Sequence, residues 1–443
     1  MTIATPRPEL SLVPFKNALV DTDQLDLQVL ARISVTNECH IPRTPLSVAL
    51  VIDRSGSMEG DRLDAAKDGA LQFIARLHDD DEVCVVTYDD HVSVPLQLMP
   101  VRAARTLAPA LLSGIVSGNS TDLHAGWLEG AKQLAPRSGK QRLCRVILLS
   151  DGKANHGLRD IDAICDQVSQ LAAAGVTTST VGIGMGFNER LMTSIAISGQ
   201  GMAMYGDHAE DLQEPFEAEI GLLTALAWRD VTMTLESASQ HWKVLNPYLS
   251  PEPGIWRLPS LAVGAEVWVA LSIPMARAVR AQKKNDREDL VSISVRATDA
   301  NGNIQTFRAV LPALPLVSLS DYHAMPGNEL VGRRFSEIEA AEIQREARRA
   351  ANARNWAKVA RMLDELEERG RDNPWLMQTV EVLRHLLSQR DQARLEKELM
   401  YSSHSLSSRL VASDETLSFS RREELDKAAF LRRKTHQGRR SGV

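Results

Sequence analysis

The chain has 443 residues, of which 44% are hydrophobic and 24% are charged, and its net charge is −6. Such a length exceeds one ordinary core, so we expect two or three domains of a soluble globular protein. The modest negative charge argues against a nucleic-acid binder. Residues 1–20 carry no basic cluster followed by an apolar core, and no stretch approaches the roughly 18 apolar residues of a membrane span. We therefore expect a cytoplasmic protein without a membrane span.

The N-terminal 44 residues predict a β-strand whose partners lie far along the chain. Apolar residues alternate with polar ones at Leu25, Leu27, Val29, Ala31, Ile33 and Val35. The same period of two returns between Val231 and Leu311 with no helical pattern in between, which is typical of an antiparallel sheet. We expect residues 1–44 to complete a β-sandwich formed mainly by residues 223–325. The region between them would then be an inserted domain.

Residues 45–222 alternate strand and helix patterns. The predicted strands run from Leu46 to Ile52, Val83 to Tyr88, Arg145 to Leu149 and Val176 to Ile183. The predicted helices run from Arg62 to Leu77, Thr121 to Leu134, Asp160 to Ala174, Glu189 to Ser198 and Ala209 to Trp228. Continuously apolar strands are typical of a parallel sheet covered on both faces. This predicts a doubly wound α/β domain, a fold that places its binding sites at the carboxyl edge of the sheet.

The C-terminal part of the chain predicts helices. Residues 334–412 are rich in Ala, Glu, Arg and Leu, and an apolar face that includes Trp356 ends at Gly370. Pro374 then begins a second helix, so we expect an α-helical hairpin. Residues 413–443 form a tail that becomes basic towards its end, and we expect this tail to be disordered.

Five oxygen-bearing side chains follow the predicted strands of the α/β domain. They are Asp53, Ser55, Ser57, Thr121 and Asp151. The set offers carboxylates and hydroxyls with no sulfur or imidazole, which suits a hard divalent cation such as Mg²⁺. Each residue lies at the end of a predicted strand or in the loop beyond it. The sequence therefore predicts a metal site at the carboxyl edge of the sheet, and no catalytic residue.

Residues 45–222 resemble a von Willebrand factor type A domain with a complete metal-ion-dependent adhesion site, and the whole chain resembles bacterial cytosolic members of that family. The pattern DxSxS appears as Asp53-Arg54-Ser55-Gly56-Ser57 and is followed by Thr121 and Asp151. The resemblance implies Mg²⁺ or Mn²⁺ held directly by the hydroxyls and largely through water by the carboxylates. It also implies an open coordination position for an Asp or Glu side chain of a partner protein, and hence an adaptor or scaffold.

Other interpretations remain open at the sequence level. Asp53, Ser55 and Ser57 could cap a helix start. A metal-dependent hydrolase of the phosphatase type is a rival function, although its chemistry requires a second carboxylate two residues after the first, where this chain has Ser55. A third alternative is an adaptor of a MoxR-type AAA+ ATPase. Asp122 could orient the Thr121 loop or cap the next helix, and we expect His124 to have a packing role.

Overall fold

A computed structural model describes most of the chain. The described residues are 7–35, 43–139, 142–184, 187–206, 209–263, 266–284, 289–299, 302–371, 373–389, 395–396 and 398–399. Within them the chain forms two compact units. One unit contains residues 43–226, and the other combines the N-terminal residues with those from 227 onwards. The predicted tail, residues 413–443, lies outside the described residues.

Fifteen strands lie in the described part of the chain. They are β1 (Glu9–Pro14), β2 (Asp26–Ser34), β3 (Leu46–Asp53), β4 (Glu82–Tyr88), β5 (Val92–Pro100), β6 (Leu143–Ser150), β7 (Val176–Ile183), β8 (Gln200–Gly206), β9 (Leu226–Glu236), β10 (Lys243–Val244), β11 (Ile255–Arg257), β12 (Leu261–Ala262), β13 (Glu266–Pro274), β14 (Asp289–Asp299) and β15 (Ile304–Pro312).

Eleven α-helices lie in the same residues. They are α1 (Asp61–Arg76), α2 (Val101–Ser113), α3 (Leu123–Leu134), α4 (Ile161–Ala173), α5 (Glu189–Ser198), α6 (Gln213–Thr224), α7 (Met275–Lys284), α8 (Leu319–Ala324), α9 (Glu329–Asn352), α10 (Trp356–Gly370) and α11 (Pro374–Gln389). Among the described helices, none is both long and apolar enough to cross a membrane.

The inserted unit is built on a six-stranded sheet in the order β5-β4-β3-β6-β7-β8. Strands β4, β3, β6, β7 and β8 run parallel, and β5 lies antiparallel at one edge. Both faces are covered, because Leu50 and Ile52 share a core with α1, whereas Ala49 and Val51 lie against Gly130 of α3. The predicted doubly wound, mainly parallel sheet is confirmed. Its central strands β3 and β6 end side by side.

The other unit contains two antiparallel sheets that share one core. Their strand orders are β1-β2-β13-β10 and β11-β9-β14-β15. Strand β2 pairs with β13 over its whole length, from Asp26 opposite Pro274 to Ser34 opposite Glu266. Alternate residues of β2, such as Val29, pack in the same core as Ile293 of the second sheet. The early strand therefore belongs to a β-sandwich that is completed after the inserted unit.

The predicted C-terminal hairpin is present as α10 and α11, and α9 precedes it as a further helix. Helix α9 packs on α10, and α10 packs on α11, so among the described residues three packed helices are present where two were expected. The buried face of α9 is made largely of alanines, including Ala340, Ala341 and Ala347. Small residues give a weak amphipathic pattern, which explains why α9 did not stand out as a separate packed helix.

Three further differences lie in the inserted unit. Strand β5, helix α2 and strand β8 were not predicted. The predicted helix from Ala209 to Trp228 is also wrong at its end, since α6 stops at Thr224 and β9 begins at Leu226. Residues 226–228 are apolar and fit a helix face as well as a strand, so the local pattern did not mark the change. Pairing with β14 places Trp228 in a strand.

Candidate metal centre

Asp53 is the last residue of β3 and is fully buried. Its Oδ1 accepts a hydrogen bond from the Ser55 backbone N–H at 2.9 Å, and its Oδ2 accepts one from the Ser150 hydroxyl at 2.6 Å. Ser150 ends the neighbouring parallel strand β6. Both carboxylate oxygens are thus oriented by the sheet edge itself, which fixes the loop that follows.

That loop presents two hydroxyl groups. The Oγ atoms of Ser55 and Ser57 lie 3.3 Å apart, next to a short 3₁₀ turn, Gly56–Met58. The side chain of Ser55 makes no capping bond to that turn, and Gly60 is the N-cap of α1, among the described residues. The capping alternative for these two serines is therefore wrong. Their hydroxyls lie together at the carboxyl edge of the sheet.

Thr121 is buried in a second loop that reaches the same edge. Its backbone N–H donates to Asn155 Oδ1 at 2.8 Å, and its carbonyl accepts from the N–H groups of Asn155 and His156, both at 3.1 Å. The Gly56 N–H donates to the Asn119 carbonyl at 2.9 Å. Backbone bonds therefore connect the loops that carry Ser55, Thr121 and Asp151.

Asp151 follows β6 and is fully buried. Its Oδ1 accepts a hydrogen bond from the Lys153 backbone N–H at 3.2 Å. Its Oδ2 accepts no hydrogen bond from any described residue. Two cations lie near that oxygen, with Lys153 Nζ at 3.3 Å and an Arg62 guanidinium nitrogen at 3.6 Å. A buried carboxylate oxygen with an unfilled hydrogen-bonding capacity is a ready ligand for a cation or its bound water.

The electrostatics of the edge favour a positive ion. Burial raises the pKa of Asp53 from 3.8 to about 6, and the nearby negative charge of Asp151 adds to the increase, while the bonds from Ser150 and Ser55 oppose it. Burial and the same carboxylates raise the pKa of Tyr88, which stays a neutral phenol. Ionised Asp53 is therefore costly here unless a cation offsets its charge. The oxygen donors present fit a hard divalent ion.

Residues 47–218 match the family model of the von Willebrand factor type A domain. The sheet order and the parallel core agree with that match. The chain contains a von Willebrand factor type A domain. The predicted domain type is thus confirmed, and the matched residues lie within the inserted unit.

Three curated proteins are similar to part of this chain. An uncharacterized protein of Synechocystis is 27% identical over 234 residues, which are 52% of this chain and 54% of the relative. The uncharacterized Escherichia coli protein YfbK is 30% identical over 217 residues, which are 48% of this chain and 36% of the relative. Human inter-alpha-trypsin inhibitor heavy chain H3 is 26% identical over 182 residues, which are 39% of this chain and 20% of the relative. The matched part thus spans about half of the first relative and less of the others.

Two solved structures extend the shared fold beyond the type A domain. A von Willebrand factor type A protein from Catenulispora acidiphila has a TM-score of 0.64 at 18% identity and covers 87% of this chain and 91% of its own. The ArnB paralog VWA2 from Sulfolobus acidocaldarius has a TM-score of 0.60 at 15% identity and covers 91% and 99%. At such identities the likeness concerns the fold alone.

An ion pair behind the site in the type A domain was not predicted from the sequence. Arg54 and Asp89 Oδ2 lie 2.8 Å apart, and Asp89 Oδ1 accepts a bond from the His91 N–H at 2.8 Å. The Gly118 N–H donates to the Arg54 carbonyl at 2.6 Å. A Cβ on Gly118 would lie 1.8 Å from Asp89 Oδ2, so a larger residue would displace the carboxylate that pairs with Arg54. This contact fixes the Thr121 loop against the DxSxS loop.

Asp89, Asp90 and His91 also place three ligand atoms within 4.8 Å of one another. Asp89 is nevertheless engaged by Arg54 and by the turn it stabilises. Asp90 and His91 pair with each other at 3.1 Å on the surface. We therefore interpret this cluster as a structural ion pair beside an exposed turn. Both oxygens of Asp89 already have partners at 2.8 Å, which argues against direct binding of a cation by Asp89.

The two polar neighbours of Thr121 have structural contacts. Asp122 is the N-cap of α3, because its Oδ1 accepts the Ala125 N–H at 2.9 Å. Its other oxygen lies 3.5 Å from His156 Nδ1. His124 bonds to Gln167 at 2.9 Å and lies against the Trp127 ring, which agrees with the expected packing role. Of the two roles considered for Asp122, the structure shows helix capping.

Proposed function

We propose that this type A domain captures a protein partner through a divalent cation, Mg²⁺ or Mn²⁺, at the carboxyl edge of its sheet. The observation that carries the proposal is the buried pair Asp53 and Asp151. Both side chains are fully buried, and Asp151 Oδ2 accepts no hydrogen bond among the described residues. Serine hydroxyls lie at the same edge. Buried carboxylates of this kind require a counter-charge.

The residues divide into two roles in this proposal. The hydroxyls of Ser55, Ser57 and Thr121 would be direct ligands, because neutral hydroxyls can approach an ion without repelling an incoming anion. Asp53 would act mainly through bound water, since both of its oxygens already accept bonds from Ser55 and Ser150. Asp151 would also act through bound water, at the Oδ2 that accepts no hydrogen bond among the described residues. When bound, the cation would offer an open position to a carboxylate.

The proposed biological role is that of a cytoplasmic adaptor or scaffold. Type A domains are protein-interaction modules, and this role requires no catalytic group. The partner would offer an Asp or Glu side chain, and a MoxR-type AAA+ ATPase is one candidate. The β-sandwich and the C-terminal helices would provide support and a further contact surface. Neither a nucleic acid nor a membrane is needed.

Calorimetry on the full chain tests the metal part of the proposal. We expect one weak site for Mg²⁺ or Mn²⁺, because two carboxylates and neutral hydroxyls compensate less charge than a high-affinity cage. Asp151→Ala should remove the signal. Asp64→Ala is a matched control, since Asp64 is an exposed carboxylate on α1. A folded protein that binds neither ion would contradict the proposal.

Capture of partners tests the interaction part. The full chain is immobilised and exposed to native lysate in Mg²⁺ and in EDTA, in parallel with Asp151→Ala and Asp64→Ala. Proteins retained only in Mg²⁺, and lost with Asp151→Ala alone, would be the partners. Equal capture in EDTA would show that binding does not use a cation. Turnover of generic phosphate esters that requires Asp53 would instead support the hydrolase alternative.

A further inference from the structure

We propose that Arg62 and Lys153 form an anion subsite beside the candidate metal centre, which takes a second carboxylate from the same partner. This inference rests on the proposed function and specifies its ligand, a segment with two neighbouring acidic side chains. It comes from the way in which two cations from separate elements converge on a single oxygen of Asp151.

Arg62 is held at the edge by its own contacts. It lies in the first turn of α1, and its guanidinium donates to the Ser57 carbonyl at 2.8 Å while lying 3.6 Å from Asp151 Oδ2. A Cβ on Gly184 would approach Arg62 Nε to 2.7 Å, so the end of β7 leaves room for this side chain. About a third of the side chain, 36%, stays exposed. A fixed and accessible guanidinium suits bidentate binding of a carboxylate.

Lys153 reaches the same carboxylate from the loop after β6. Its backbone N–H is fixed by Asp151 Oδ1 at 3.2 Å, and its Nζ lies 3.3 Å from Asp151 Oδ2. The side chain is 44% exposed, whereas Asp151 is fully buried. The Lys153 ammonium and the Arg62 guanidinium are therefore accessible to an anion from solvent, whereas the Asp151 carboxylate is not accessible. They share one carboxylate between them and retain positive charge towards solvent.

The charge balance argues for two acids on the partner. Asp53 and Asp151 supply two negative charges, and Arg62 and Lys153 supply two positive ones. Of the other nearby acids, Glu59 and Asp61 are exposed to solvent, and Asp122 caps α3 and lies near His156. Binding of a divalent ion would leave two positive charges unbalanced at the edge. A single partner carboxylate offsets one of them, and a second carboxylate on the subsite offsets the other.

Synthetic peptides on the full chain provide the test. One peptide carries a single Asp among glycines, and others carry two Asp residues that are adjacent or separated by one or two glycines. Each is titrated in Mg²⁺ and in EDTA against the wild type, Arg62→Gln and Lys153→Gln. Lys132→Gln is the control, because it removes a lysine charge at the far end of α3. Calorimetric titration with Mg²⁺ alone gives a second readout.

We expect the best two-acid peptide to bind the wild type in Mg²⁺ at least about fivefold more tightly than the one-acid peptide, as for a partly buried charge pair. Arg62→Gln and Lys153→Gln should remove most of this preference and leave one-acid binding within about twofold. Their affinity for Mg²⁺ alone should stay equal or rise, since a repelling charge is lost. Lys132→Gln should change neither.

Two results would overturn the inference separately from the proposed function. If the peptides bind in Mg²⁺ but the wild type has no preference for two acids, the metal centre stands and the subsite is wrong. If either variant loses one-acid and two-acid binding equally, the substituted side chain supports the metal centre and does not contact the second acid. If no peptide binds better in Mg²⁺ than in EDTA, the proposed function fails and the subsite with it.

Discussion

Two fully buried aspartates of the type A domain have opposite environments. Asp81 lies just before β4, at the amino end of the sheet. Its Oδ1 accepts the Leu46 N–H at 2.8 Å, and its Oδ2 accepts the His78 N–H at 2.8 Å and pairs with Arg43. Asp151, at the carboxyl end, accepts one backbone bond, and its Oδ2 accepts none from the described residues. Two equally buried aspartates therefore differ: Asp81 has a structural role, whereas Asp151 has the ligand role that we propose.

Strand β6 shows the same contrast between its two ends. Near its start, buried Arg145 lies 3.3 Å from Glu219, which also accepts the Ser179 hydroxyl at 2.7 Å. Beyond its end, buried Asp151 lies near Arg62 and Lys153, whose side chains are partly exposed. Charges at the amino end thus have internal partners, whereas charges at the carboxyl end depend on exposed side chains or an added ion. Incomplete compensation of buried charge is a mark of functional sites.

The largest expected effect concerns binding through Asp151. Asp151→Ala should weaken Mg²⁺-dependent partner capture at least about 100-fold, because the site loses one of only two negative charges. The melting temperature in EDTA should hardly change, since truncation opens no apolar cavity and removes a carboxylate that lacks full hydrogen bonding. Ser57→Ala should act in the same direction. Scanning calorimetry in EDTA, together with capture in Mg²⁺, measures both parts.

Asp81→Ala should have the opposite effects to Asp151→Ala, with a loss of stability and no loss of Mg²⁺ binding. The backbone N–H groups of Leu46 and His78 would lose their acceptor, and Arg43 would lose its partner, so we expect a destabilisation of about 3 kcal/mol. Urea unfolding of the full chain measures this change. The protein that remains folded should still bind Mg²⁺ with wild-type affinity. A variant that keeps wild-type stability would remove the distinction between the two aspartates.

A third prediction concerns the pH dependence of stability in the absence of metal. It tests the buried charge of Asp53 at the carboxyl end of the sheet. Asp53 has a folded pKa of about 6 against an ordinary value of 3.8. Its ionisation therefore lowers stability as pH rises through 6, and the cost of about 2 to 3 kcal/mol is absent below pH 3.8. Asp53→Asn should thus be more stable than the wild type in EDTA at pH 7.5, and the difference should vanish near pH 4. Added Mg²⁺ should reduce it at pH 7.5.

Unfolding at several pH values in EDTA and in Mg²⁺ checks this sign. A matched Asp64→Asn variant, which changes an exposed carboxylate, should show no such trend. If the advantage of Asp53→Asn were instead greatest at pH 4, Asp53 would be stabilised by ionisation in the fold. The inference that burial, together with the charge of Asp151, disfavours ionised Asp53 would then be wrong.

The sequence predicted the parts of this site that depend on chain order. Asp53 and Asp151 follow apolar strands, and parallel strands end at one edge, so their approach follows from the fold. It did not predict Arg62, Lys153 or the pairing of Arg54 with Asp89. Each of these contacts joins side chains from separate elements, and charged residues on a helix or loop are usually solvated. Nothing local distinguishes Arg62 from the exposed arginines of the same domain.

Fold prediction failed where local patterns were ambiguous. The alternation in β2 and the continuous apolar runs of β3 and β7 specified their strands, because burial on one or both faces leaves a clear period. Strand β5 contains Pro95 and lies at an edge, where exposed residues weaken that pattern. Helix α9 buries mainly alanines. Tertiary pairing, rather than local preference, decided these elements.

The smallest expected effect concerns the ion pair behind the site. Arg54→Gln or Asp89→Asn should weaken Mg²⁺-dependent capture by roughly fivefold, since the pair positions the Thr121 loop without contacting the ion, and one part-buried pair contributes about 1 kcal/mol. The double variant should be no weaker than either single one. Gly118→Ala should have a larger effect than both, because the new Cβ would meet Asp89. Additive losses in the double variant, measured by titration, would mean that the two residues act independently and do not form the contact that joins the loops.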